Sequence, residues 1–158
     1  MQAILPILQA TGGTRGIRAP ADGRESLANL FDRTVDSAKG FARMVENAEP
    51  AFRDTPERFR ALHCRHSGML ARVLADHGID APGNGTIMGS VNAAVITFRA
   101  FFDEIDEDAM DQIRSGEEWV LKAFDEAINA QTDTAVAAHL REMRDELVAL
   151  LADTRDLD

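Results

Sequence analysis

The chain has 158 residues, a length that fits one domain with a substantial core. Hydrophobic residues make up 45% and charged residues 28%, which excludes an intrinsically disordered chain, and the absence of Tyr favours helices over sheets. The formal net charge of −10 argues against a nucleic-acid partner, because phosphates would be repelled.

The expected location is the cytoplasm. Cys64 is the only cysteine, so no intrachain disulfide can form, and this is compatible with a reducing compartment. The N-terminal apolar patch is short, broken by Pro6 and without a basic flank, so it does not resemble a signal peptide. No apolar run approaches the roughly 18 residues that a membrane-spanning helix needs, and we therefore expect no membrane association.

Residues 1–24 are predicted to form a flexible N-terminal arm, because glycines at 12, 13 and 16 interrupt any regular pattern. The arm either docks on the body or is disordered. The remaining residues, 25–158, are predicted to form one helical bundle.

Four long segments carry apolar residues at helical spacing, at about 25–48, 56–77, 107–130 and 134–154. Pro50 and Gly78 are expected to end the first two helices, and Thr55 is expected to cap the second. The predicted inward positions include Leu27, Leu30, Thr34, Phe41, Phe59, Leu62, Met69, Leu70, Val120, Phe124, Leu140, Met143 and Leu147.

The connections predict the topology. The first two helices are joined by a short loop, and so are the last two, which makes each pair an antiparallel hairpin. Between the hairpins lies a long stretch with a further apolar segment at about 87–102, interpreted as a connector helix. The predicted fold is therefore an all-α, ferritin-like four-helix bundle, with two antiparallel hairpins joined by a long helical crossover.

Several short motifs carry a resemblance to a known family. They are DSAKGF at 36–41, SGE at 115–117, LKAF at 121–124, and the His77–Gly78 turn ahead of DAP at 80–82. Over about residues 25–155 the chain resembles a bacterial family of unknown function made of ferritin-like four-helix bundles, which is similar to stress-associated ferritin-like proteins. The resemblance implies a helical monomer or dimer and a possible stress-associated role, without a settled activity.

The chain departs from the ferritin-like metal pattern. A di-iron bundle takes one Glu from each of two helices and a Glu-x-x-His pair from each of the other two. No Glu-x-x-His occurs in this chain, and Ala38 stands where the family tends to have Glu. Only the third helix keeps an inward carboxylate, Glu117. A di-iron centre is therefore disfavoured and no cofactor is expected, although a single metal ion is an open alternative.

His63, His66 and Glu117 are the candidate site residues. The two histidines are three residues apart on one helix, and Glu117 lies on the inward stripe of another. A two-histidine, one-carboxylate set suits a single metal ion. The alternative is a structural hydrogen bond or ion pair, with His66 as the expected partner of Glu117, because buried charges persist only when they are paired.

Two functions follow from these observations. The first is a non-catalytic structural or interaction protein that self-associates, most simply as a dimer, with a further protein partner left open. The second is a mononuclear metal-binding protein or oxidoreductase that uses His63, His66 and Glu117. Trp119, one residue off the inward stripe, is either packed at the rim or an interface anchor.

Overall fold

The computed structural model of the protein describes residues 22–81 and 105–157. These ranges contain four long helices and no strand, which confirms the prediction of an all-α four-helix bundle. The helices are α1 (Gly23–Asn47), α2 (Asp54–Asp76), α3 (Met110–Ala130) and α4 (Thr134–Asp153), with a short 3-10 turn, Glu107–Ala109, leading into α3. The predicted connector helix at 87–102 and the arm up to residue 21 lie outside the described residues.

Asp side chains cap the N-terminal ends of α1 and α4, whereas no side chain caps α2. Asp22 caps α1 by accepting a hydrogen bond from the Glu25 backbone N–H at 2.8 Å, so the helix begins two residues earlier than predicted. Asp133 caps α4 in the same way. The predicted Thr55 cap of α2 is wrong, because the chain already turns at Glu49–Arg53 and Thr55 lies buried inside the first turn.

The C-terminal end of α2 is a Schellman motif centred on Gly78. The backbone N–H of Gly78 donates to Ala75 O at 3.0 Å, and that of Ile79 donates to Leu74 O at 2.9 Å. Gly78 has φ of 60°, a left-handed conformation that glycine adopts without a Cβ penalty. The prediction that Gly78 ends this helix is confirmed.

Contacts at the helix ends give the direction of each helix. Gly23, at the start of α1, accepts from Gln131 beyond the end of α3, and Arg24 donates to the carbonyls of His77 and Gly78 beyond the end of α2. At the opposite end, Glu49 beyond α1 donates to Ile105 ahead of α3. Both α2 and α3 are therefore antiparallel to α1, and they run parallel to each other.

Helix α4 completes the arrangement. Arg58 near the start of α2 pairs with Asp153 at the end of α4 at 3.1 Å, so α2 and α4 are antiparallel. Because α2 and α3 run in the same direction, the chain leaves α2 at one end of the bundle and enters α3 at the other. This geometry matches a bundle of two hairpins joined by a long crossover.

The core is formed by the inward stripes of all four helices. Most predicted inward positions are buried, including Leu30, Phe59, Phe124, Leu140 and Leu147. Met69 is an exception, with 38% of its surface exposed, because 100° per residue places it about 80° from Phe59 at the edge of the buried face. Leu74 is buried on that face instead. None of the helices in the two described ranges combines the length and apolar content that a membrane crossing requires.

Candidate functional site

The two histidines of α2 are both completely buried, with side-chain exposures of 0%. Their spacing of three residues separates their directions by about 60° around the helix axis. They therefore point to different neighbours, although both belong to the inward face. This separation decides which acid each of them contacts.

His63 contacts Glu117 in the centre of the bundle. Its Nε2 lies 3.1 Å from Oε1 and 3.0 Å from Oε2 of Glu117, whose side chain is 3% exposed. The imidazole stacks on Phe41 with 5.6 Å between ring centroids, and Phe41 in turn stacks on Phe59. A polar pair enclosed by aromatic rings is tolerated because each buried group meets the other.

His66 faces α4. Its Nε2 donates to Oε2 of Glu146 at 2.8 Å, and its ring packs edge-on against Phe124. The predicted pairing of His66 with Glu117 is therefore wrong, and His63 takes that role. The physical reason is the rotation of α2, which directs His63 toward the bundle centre and His66 toward the α2–α4 boundary.

Glu146 joins the buried histidine to the surface. Its side chain is 49% exposed, and the same oxygen that accepts from His66 also accepts from Arg65 at 2.8 Å. The hydrogen bonds from Arg65 and then His66 lower the pKa of Glu146. Arg65, Glu146, Arg58 and Asp153 together form a charged rim along α2 and α4.

Burial controls the protonation of His66. Desolvation lowers the pKa of His66, and the hydrogen bond to Glu146 opposes that shift only in part. Among the described residues, the buried Nδ1 of His66 has no hydrogen-bond partner. A second proton on the ring would therefore create a buried N–H donor without an acceptor, which is the structural counterpart of the lowered pKa.

The three predicted ligands do not meet at one point. The ligand atoms of His63 and Glu117 contact each other, while the Nε2 of His66 is directed at Glu146. No cluster of three or more His, Cys, Asp or Glu in the two described ranges has a geometry that could hold a metal ion.

The donor set does not fit a di-iron centre either. Glu117 is the only buried acidic residue in the described part of the chain, whereas such a centre takes about four carboxylates. Ala38 is half-buried at the position of α1 where a di-iron bundle would carry a Glu ligand. Met143 and Leu147 fill the corresponding face of α4. The described interior is therefore packed chiefly with apolar side chains.

Sequence reasoning missed Glu146. It lies on the polar side of α4, where the sequence pattern predicts an ordinary solvated acid. A signal was nevertheless present, because Arg58 and Arg65 are seven residues apart on α2, and so are Glu146 and Asp153 on α4. Opposite charges at the same seven-residue spacing on two antiparallel helices predict a row of ion pairs.

A second missed feature is the pair Asp32 and Asp36 on α1. Each has one buried carboxylate oxygen without a hydrogen-bond partner among the described residues. Burial raises the pKa of Asp32, and the charge of Asp36 raises it further. Burial also raises the pKa of Asp36, against the opposing charges of Lys39 and Arg33.

Comparison with known proteins places these residues in a family. Residues 23–130 match the model of a family described as a domain of unknown function, DUF2383. The matched part takes in α1, α2 and α3 with His63, His66 and Glu117, and it ends before α4 with Glu146. No curated protein and no solved structure matches the chain. The match covers more than half of the chain, which therefore belongs to the DUF2383 family.

Proposed function

We propose that this protein is a non-catalytic, ferritin-like helical bundle that acts as a structural or interaction protein and associates with itself as a dimer. A cytoplasmic location and a stress-associated role belong to the same proposal. The observation that carries it is the contact between His63 and Glu117, in which the one buried acid of the described core is bonded to an imidazole.

The burial of this pair supports a structural role. A general base must come within hydrogen-bond distance of the proton that it removes. His63 is 0% exposed and Glu117 is 3% exposed, so neither offers surface to a substrate in this conformation. Stacking on Phe41 further holds the imidazole in place. Such a pair fixes how α2 and α3 face each other in the core.

The ferritin-like part of the proposal rests on topology. The parallel α2 and α3, the antiparallel α1 and α2, and the antiparallel α3 and α4 are the arrangement of that fold. Because the described interior lacks the carboxylates of a di-iron centre, we propose that the bundle is used for its surface.

Self-association is tested by sedimentation equilibrium of the full chain, from about 5 to 500 μM. Stable interfaces typically bury about 800 Å² per partner, and smaller ones dissociate within this concentration range. We expect a reversible monomer–dimer equilibrium. A chain that stays monomeric at the highest concentration would contradict the dimer.

The second candidate function is mononuclear metal binding by His63, His66 and Glu117. The observation that favours it is the contact between two of the three proposed ligands, because Nε2 of His63 lies within 3.1 Å of both carboxylate oxygens of Glu117. Binding through Nε2 would require His66 to turn away from Glu146. Zinc titration followed by elemental analysis tests this candidate: stoichiometric zinc that is lost in His66→Ala would support it, and no retained zinc would exclude it.

A further inference from the structure

We draw no further inference here: the strongest candidate, the exposed face of α3 around Trp119, carries none, because Lys122 beside the indole ring is already paired with Glu126 and nothing in the described part of the chain shows what covers this face.

Discussion

The Nε2 of His63 lies within 3.1 Å of both carboxylate oxygens of Glu117, at the centre of the bundle. The contact joins α2 and α3, which run parallel and lie in different hairpins. Carboxylate oxygens accept hydrogen bonds, so Nε2 of His63 carries the proton and donates to Glu117. The pair therefore bridges the two hairpins.

Removal of one member of this pair should cost more than removal of both. His63→Leu or Glu117→Leu leaves a buried polar group without its partner, and we expect each to lower the free energy of unfolding by about 3–5 kcal/mol. The double variant fills the space with apolar side chains and should recover most of that loss. Urea unfolding of the four proteins completes a double-mutant cycle. Additive losses would contradict a direct interaction.

Stability should fall as the pH drops from 7 toward 5, because of His66. Burial lowers the pKa of His66 below its ordinary 6.5, so the unfolded chain takes up the proton at higher pH than the folded one. The loss in the free energy of unfolding begins near pH 6.5 and is complete below the pKa of His66 in the folded protein. Unfolding free energies of His66→Leu should depend less on pH across this window than those of the wild type. His139→Gln, at a 63% exposed side chain, is the control and should keep the wild-type slope.

A separate loss of folding stability is expected at lower pH from protonation of Glu146. Its pKa is lowered by Arg65 and His66, so it contributes stability above its unfolded value of about 4.5 and loses it as the pH falls further. Glu146→Gln should remove this contribution. An acid-unfolding curve of Glu146→Gln identical to that of the wild type would show that the rim ion pair has no role in stability.

Replacement of Asp32 or Asp36 by Asn should stabilise the protein at pH 7. Burial raises the pKa of both groups, so the folded state holds their protons more tightly and loses stability as the pH rises through the folded pKa. Neutral Asn also removes a like-charge pair at i, i+4, worth about 0.5 kcal/mol. Thermal unfolding should show a higher midpoint at pH 7 and no gain at pH 3. Asp156→Asn, at an exposed position, is the control and should leave the unfolding midpoint unchanged at both pH 7 and pH 3.

Gly68 within α2 and Gly78 just beyond its end should respond in opposite directions to replacement by Ala. Gly78 has positive φ, so Gly78→Ala should cost about 1 kcal/mol. Gly68 lies inside the helix, and a Cβ there meets no neighbour within 4 Å. Gly68→Ala should therefore gain about 0.5–1 kcal/mol from helix propensity. A loss of stability in Gly68→Ala would contradict the helix assignment at that position.

The sequence predicted the elements well because their signals are local. The helical spacing of residues such as Leu27, Leu30 and Phe41, and the stop at Gly78, each depend on a few neighbouring positions. The prediction that Thr55 caps α2 is wrong, because the turn at Glu49–Arg53 already starts the helix before Thr55. A preceding loop of this kind is set by how α1 and α2 pack, and its effect cannot be read from a capping residue alone.

The burial of the candidate site residues was predicted from the sequence, but their pairing was not. His63, His66 and Glu117 are all buried, as their positions indicated. Which histidine contacts Glu117 depends on a rotation of α2 by about 60°, and apolar periodicity does not define a helix face that finely. Glu146 was missed for the same reason, since its role arises only where α4 meets α2.

We propose that His63 and Glu117 form a structural pair. Nitrogen NMR of the imidazole side chains, recorded without metal and then with one equivalent of zinc, tests it most directly. We expect Nε2 of His63 to carry a slowly exchanging proton that is hydrogen-bonded to Glu117 and lost in Glu117→Leu, and we expect zinc to leave this signal unchanged. Loss of that proton on zinc addition, with a shift of Nε2 typical of metal ligation, would contradict it.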